Sequence, residues 1–162
     1  MWQEKGFVED NADLVSSITD LENIIEEVPA RFRKLSDEHI LRRPAPGKWS
    51  KKEILGHLVD SALNNLKRFT EIPFLPQPYI VQSYNQVELV KANHYQEIPL
   101  DQLINVWQAL NRQIVFVVKN IPAEKLVYPV NPQYDNNEMK TLEWIIMDYV
   151  AHLHHHLRQI FA

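Results

Sequence analysis

The residues best suited to chemistry in this sequence are histidines, of which there are seven, whereas there is no cysteine. His152 and His156 lie four residues apart, so on a helix their side chains stack one turn apart and can chelate a single ion. His154 and His155, in the same run, point to other sides of such a helix and are poorer ligand candidates. Since no thiolate is available, any bound metal takes nitrogen or oxygen ligands.

A third candidate ligand, His57, borders the apolar arc of an earlier segment, as His152 and His156 border theirs. If the two borders face each other, three imidazoles converge and water or substrate completes the shell, which is typical of catalytic zinc. Protonation of histidines with reference pKa near 6.5 then predicts loss of metal below about pH 6. The alternative is that His57 is a core or surface histidine, in which case His94 or Asp148 would be the third ligand.

Polar residues next to these histidines predict a cavity. Ser61, Asn64 and Arg68 follow His57 along the border of the apolar arc, where a solvated face would more naturally carry Lys and Glu. Asp60 and Asp148 lie three residues after His57 and four before His152, so either carboxylate could accept a ring N–H and orient it, although surface solvation explains both acids equally well. No HExxH, Walker or nucleophile-elbow motif occurs, so we assign no catalytic group beyond a metal-coordinated water or thiol.

Two amphipathic segments in the first half of the chain predict helices. The first has apolar residues at steps of three and four, and Pro29 within it predicts a kink or a restart. This stripe comprises Leu14, Ile18, Leu21, Ile25, Val28, Phe32 and Leu35. The second segment opens at Ser50, with Glu53 completing a capping box, and extends to about Glu71.

Two further helices are predicted in the second half, from Pro99 to about Asn120 and from Thr141, a plausible cap, to the C-terminus. The β-branched residues 114–118 could alternatively form a strand. We expect irregular structure after Ser36 and at 43–49, 72–80 and 121–140, with a short helix near 83–93 and a turn at 94–99. The sequence therefore predicts an all-α, four-helix bundle with long irregular connections, formed by one domain over residues 1–162.

Composition and charge limit the classes of partner. The chain has 162 residues, a formal net charge of −4 and no long Lys/Arg tract, which disfavours nucleic-acid binding. Only three glycines occur, and phosphate-cradling glycine motifs are absent. No apolar run is long enough for a signal peptide or a membrane span, so we expect a cytoplasmic protein that acts on a small molecule rather than at a membrane.

Two motifs resemble a known family, the DinB/YfiT-like metalloenzymes in their DinB_2 branch. ProGlyLysTrpSer (46–50) with GluIleLeuGlyHisLeuValAspSerAlaLeuAsnAsn (53–65) resembles that family's second-helix signature, and HisLeuHisHisHisLeuArgGlnIle (152–160) resembles its closing HxxxH segment. The resemblance implies an up-down-down-up bundle with a divalent metal, nickel or zinc, held by His57, His152 and His156.

The resemblance also implies a range of functions. Relatives of this kind activate a low-molecular-weight thiol, so a bacillithiol-type S-transferase with that thiol as cosubstrate is the first hypothesis and a metal-dependent hydrolase the second. A non-catalytic, metal-containing small-molecule-binding or stress-associated bundle is a third hypothesis from another class. The resemblance suggests a homodimer, for which four tryptophans supply candidate aromatic surface, although burial is their commoner role. They are Trp2, Trp49, Trp107 and Trp144.

Overall fold

A computed structural model describes residues 6–7, 13–134 and 137–162, so Trp2 lies outside the described residues. Four long helices form the body: α1 (Leu14–Phe32), α3 (Lys51–Glu71), α5 (Leu100–Lys119) and α7 (Leu142–Phe161). The connections contain the short helices α2 (Asp37–Leu41), α4 (Gln86–Ala92) and α6 (Ala123–Leu126), and the strands β1 (Tyr79–Ile80), β2 (Pro129–Asn131) and β3 (Lys140–Thr141).

Contacts near the helix ends define the directions of the four long helices. They join Arg31 to Phe161, Arg33 to Asp101, and Lys51 to the carbonyl of Ile160. The first contact joins the ends of α1 and α7, which are parallel. The second joins the end of α1 to the start of α5, and the third joins the start of α3 to the end of α7, so both of these pairs are antiparallel. The predicted up-down-down-up bundle is therefore confirmed.

The predicted starts of the two histidine-bearing helices are confirmed in detail. Ser50 caps α3 by accepting from the backbone N–H of Glu53, and the Glu53 side chain accepts from the N–H of Ser50, which is a complete capping box. Thr141 caps α7 by accepting from the N–H of Trp144 at 3.2 Å. Residues 114–118 lie inside α5, so the alternative strand is excluded.

Pro29 lies inside α1, which continues to Phe32 without the restart that was one of our two expectations. A proline has no N–H to donate to the carbonyl four residues earlier, here that of Ile25. In its place the side-chain amide of Gln108, on α5, donates to the Ile25 carbonyl at 3.0 Å. A hydrogen bond between helices thus compensates for the proline.

The connections contain more regular structure than we predicted. Ser36 caps α2 in a passage expected to be irregular. Strand β2 lies between β1, to which it is parallel, and β3, to which it is antiparallel. The two passages that we expected to be irregular, 72–80 and 121–140, therefore contribute strands to a small sheet. Val130, which is fully buried, pairs with Tyr79, which is 8% exposed. Both side chains belong to the hydrophobic core, so packing against the helices stabilises these short strands.

The apolar faces of the four long helices meet in one core, in which Trp107 is completely buried. Trp49 and Trp144 are partly buried against this core, so three of the four tryptophans have intramolecular packing roles. Within the described part of the chain, none of the helices combines the length and the apolar character that crossing a membrane requires.

Candidate metal centre

Antiparallel packing of α3 and α7 brings His57, His152 and His156 together. The Nε2 atom of His152 lies 3.4 Å from Nε2 of His57 and 3.1 Å from Nε2 of His156. One nitrogen from each ring lies within 4.8 Å of the others. Among the described residues, these three histidines are the group whose side chains lie close enough together to hold a metal ion. His57 and His156 are 0% and 1% exposed, whereas His152 is only partly covered.

The donor set fits a divalent cation. Bonds of about 2.0–2.1 Å in tetrahedral geometry place two ligand nitrogens about 3.3 Å apart, close to the two separations observed here. Neutral imidazole is the form that binds metal. Burial, assisted by the neighbouring His156, lowers the pKa of His57 to about 3, and burial lowers that of His156 to about 4. Burial also lowers the pKa of His152 well below its usual range, so all three rings are neutral at neutral pH.

Neighbouring side chains fix the orientation of two of the rings. Nδ1 of His156 lies 2.9 Å from Oε1 of Gln159, and since an amide oxygen only accepts, Nδ1 donates. This tautomer leaves a lone pair on Nε2, the atom that faces His152. The Trp49 ring lies over the His57 ring, with centroids 5.1 Å apart. Gln159 lies three residues after His156, a spacing from which this contact could have been predicted.

Asp60 does not orient His57, contrary to one of our interpretations. Its Oδ1 accepts hydrogen bonds from the Tyr95 hydroxyl at 2.6 Å and from the Asn93 amide at 3.0 Å. The Tyr95 ring packs directly over Gly56, where any Cβ would lie about 2.2 Å from the ring. This close approach carries the hydroxyl to Asp60 and keeps the carboxylate on the side of α3 that faces Tyr95.

Asp148 likewise does not bond to His152. It accepts from the Tyr134 hydroxyl at 2.8 Å and from the backbone N–H of Phe7. The Phe7 ring in turn packs against the His152 ring, with centroids 5.3 Å apart. Asp148 therefore anchors Phe7 and Tyr134 beside the histidines rather than orienting the His152 ring.

A cavity of about 190 Å³ opens beside the histidine cluster, and His152 is the member of the cluster that lines it. Ser61, Arg68 and Asp148 line it as well, so three of the residues we predicted for a pocket lie there. Asn64 is not among the lining residues, because its side chain donates to the carbonyl of Asp60 at 2.8 Å. The polar cavity lies between α3 and α7, next to the only histidine of the cluster that is incompletely covered.

Several lining residues were not predicted from the sequence. They are Asn65, Ser83, Tyr84, Gln86, Tyr134 and Tyr149. Asn65 lies four residues after Ser61 and donates to its carbonyl at 2.9 Å, a spacing that could have identified it. Ser83, Tyr84, Gln86 and Tyr134 come from the connections, for which sequence periodicity gives no placement.

The other candidate histidines lie elsewhere. His154 contacts Asp20 on α1, and His155 lies 3.0 Å from the Gln159 amide, so both leave the cluster as predicted. His94 is 70% exposed and lies 3.8 Å from Glu97, so it is no substitute for His57.

The fold and the site define a helical bundle with a three-histidine group at one edge of a polar cavity. A family model described as the DinB superfamily matches residues 20–160, and the chain belongs to this family. The chain is similar to the Bacillus subtilis (strain 168) protein named "Putative metal-dependent hydrolase YfiT", with 28% identity over 147 residues, covering 85% of this chain and 78% of YfiT.

Solved structures show the same fold. The structure of YfiT from Bacillus subtilis, described as a four-helix bundle of unusual topology, matches with a TM-score of 0.82 and 18% identity, over 94% of this chain and 88% of that one. A mycothiol-dependent maleylpyruvate isomerase matches with a TM-score of 0.65 and 11% identity, over 94% of this chain and 62% of that one.

Proposed function

We propose that this protein is a divalent-metal-dependent enzyme that transfers a low-molecular-weight thiol to a small electrophile. The observation that carries the proposal is the convergence of the Nε2 atoms of three histidines, two of which are buried. The third, His152, lines the adjacent cavity. A ligand in that cavity can approach the cluster from the side of His152. Nickel and zinc are the metals we propose, since both accept imidazole ligands.

The proposed chemistry divides between a cation and the chain. A bound divalent cation lowers the pKa of a thiol or water that coordinates it. Within the chain, His57, His152 and His156 hold the cation, and Gln159 keeps the His156 lone pair available to it. The chain has no cysteine, so the thiol comes from a cosubstrate. The fold that this chain shares with a mycothiol-dependent isomerase supports thiol chemistry.

Metal-dependent hydrolysis is the second candidate. The name of the similar Bacillus subtilis protein favours it, and the same cluster and cavity would serve a water nucleophile. The two reactions differ in their nucleophile, so they are separated by whether a thiol is consumed.

The test is a panel of alkylating electrophiles and activated esters, supplied to nickel- or zinc-loaded protein with bacillithiol, mycothiol, glutathione or cysteine. We expect metal-dependent loss of one thiol and one electrophile in equal amounts. His152→Ala should abolish turnover, whereas the matched variant His154→Ala, two residues away on another face, should retain it.

Ester hydrolysis without thiol consumption would instead establish the hydrolase. If the loaded protein turned over none of the substrates, both reactions would be contradicted, and the hypothesis of a non-catalytic binding bundle would be favoured.

A further inference from the structure

Arg68 is a cation with unfilled hydrogen-bonding capacity in the wall of the cavity. It lies three turns after His57 on α3, about 16 Å along the helix axis, at the other end of the stripe that includes Ser61. Its Nη1 donates to Oδ1 of Asn65 at 3.3 Å, and its Nη2 donates to the Gln82 carbonyl at 2.9 Å. A guanidinium has five N–H donors, so these two bonds leave donors for a ligand.

Among the residues that the structure describes, no carboxylate pairs with this guanidinium. Within residues 13–134 and 137–162, no carboxylate oxygen lies within 4.0 Å of it. Exposed arginines such as Arg33 and Arg112, in contrast, form ion pairs with carboxylates. Asp148 lines the same cavity, but its two oxygens accept from Tyr134 and from the backbone of Phe7. An arginine held by neutral acceptors in a concave site remains available to an external anion.

Gln86 supplies a second, independent sign that the cavity receives a polar molecule. Its side-chain Oε1 is buried and has no hydrogen-bond partner among the described residues. Leaving a buried polar atom without a partner costs about 1–3 kcal/mol, so such atoms usually face a bound ligand or an ordered water. Gln86 and Arg68 line the same cavity.

We propose that the cavity is a subsite for the carboxylate of a small-molecule ligand, with Arg68 as its anchor and His152 at the opposite, chemical end. The planar guanidinium presents paired N–H groups that match the two oxygens of a carboxylate. Gln86 accepts a hydrogen bond from an N–H or O–H group elsewhere on the same ligand. The volume of about 190 Å³ limits this part of the ligand to a small group of several non-hydrogen atoms.

The charges of the cavity favour the same ligand. Asp148 offsets the charge of Arg68, so a divalent cation held by the cluster would make this region net positive. An acidic ligand is therefore attracted to the cavity, and the attraction weakens as salt is added.

This inference rests on the proposed function in one respect, which is that the substrate of the histidine cluster occupies this cavity. Its test uses binding alone. We would titrate metal-free and zinc-loaded protein with matched thiol-free probes, butyrate against butanol and hexanoate against hexanol, and follow amide chemical shifts of the cavity residues.

We expect at least one acid to bind about tenfold more tightly than its alcohol, as a charge-assisted hydrogen bond implies. Arg68→Met should reduce this preference to less than about twofold, and Arg68→Lys should retain part of it. Arg112→Met, which removes an exposed arginine of α5 that pairs with Glu26, should leave the preference unchanged. Circular dichroism and zinc content would establish that each variant is folded.

An acid preference that survives in folded Arg68→Met would overturn the proposal, and one that appears only with zinc and survives in this variant would place the carboxylate on the metal. Equal binding of acids and alcohols to the wild-type protein would also overturn it. Neither result depends on turnover, so failure of this subsite is distinguishable from failure of the proposed thiol transfer.

Discussion

The side chain of Gln108 donates to the backbone carbonyl of Ile25, the carbonyl that Pro29 leaves without its helical donor. Replacing Gln108 with Met keeps the side-chain length but removes the donor. We expect the free energy of unfolding to fall by about 0.5–1.5 kcal/mol, because a partly buried hydrogen bond is lost. Urea denaturation monitored by circular dichroism would measure this loss.

A double-mutant cycle tests the cause. Pro29→Ala restores a backbone N–H that can reach Ile25, so Gln108→Met should destabilise the Pro29→Ala protein less than it destabilises the wild type. Gln113→Met, at an exposed position of the same helix, is the matched control and should change stability by less than about 0.5 kcal/mol. Equal costs of Gln108→Met in both backgrounds would contradict the compensating role of Gln108.

This compensation illustrates how much of the fold could be predicted from the sequence. Helical periodicity and caps identified the four long helices, because both signals are local: Ser50 and Thr141 cap the predicted helices. The uninterrupted course of α1 at Pro29 was not predictable, because the donor that replaces the missing backbone N–H is the side chain of Gln108, 79 positions later in the chain. The small sheet was missed because strands of two and three residues have too little periodicity to detect.

The site divides in the same way. The HxxxH spacing predicted that His152 and His156 lie together, and the polar border of the apolar arc predicted Ser61 and Arg68 as cavity residues. The roles of Asp60 and Asp148 were not predictable from spacing, because each carboxylate bonds to groups from other segments of the chain. Residues of the connections likewise required the tertiary structure.

The hydroxyl of Tyr95 donates a hydrogen bond to Asp60 and stabilises its ionised form, although Asp60 is only 4% exposed. Burial raises the pKa of Asp60, and the hydrogen bonds from Tyr95 and Asn93 oppose that rise. Tyr95→Phe should therefore raise this pKa further. A carboxyl with a higher pKa in the folded state binds more protons there than in the unfolded state, so stability falls as pH rises. We expect Tyr95→Phe to cost about 1–3 kcal/mol near pH 7 and less near pH 3.

Denaturation at a series of pH values would measure this difference. The control is Asp60→Asn, in which Tyr95→Phe should have the same cost at every pH because no carboxylate remains. A cost of Tyr95→Phe that did not depend on pH in the wild-type background would show that Asp60 is not the group involved.

The metal-free protein should lose stability on acidification. The histidine cluster has lowered pKa values, about 3 for His57 and about 4 for His156. Unfolding returns these rings to a pKa near 6.5, so the unfolded state binds more protons between these values and stability falls as pH decreases through this window. His57→Phe should reduce the slope of stability against pH between about 4 and 6.5. An unchanged slope would show that His57 is protonated in the folded protein.

Gln159 should tune metal affinity without being a ligand. It accepts from Nδ1 of His156 and so fixes the tautomer in which Nε2 carries a lone pair. Gln159→Leu removes this acceptor, and changes of this kind typically cost about 10–100-fold in metal affinity. Competition with a chromophoric chelator would measure the affinity, and Gln113→Leu is the control on an exposed helical surface. If Gln159→Leu bound zinc as tightly as the wild type, the ring of His156 would be oriented by other contacts.

One divalent ion per chain is the prediction for the cluster itself. Elemental analysis of untagged protein should find close to one equivalent of metal, and Ala at position 57, 152 or 156 should remove most of it, because two imidazoles remain in each case. His154→Ala is the matched control, since this ring contacts Asp20 on α1 and should not affect metal content.

The lowered pKa values of the histidine cluster change the pH dependence that we expect for metal content. Reference pKa values predicted loss below about pH 6, but the lowered pKa values of the buried rings mean that protons compete only at lower pH. Metal should therefore be retained down to about pH 4, the pKa of His156, and be released below it. Dialysis at stepwise lower pH followed by elemental analysis would measure the release. Loss of metal near pH 6 in protein that remains folded would show that the rings titrate as exposed histidines and that the cluster is more open than its burial indicates.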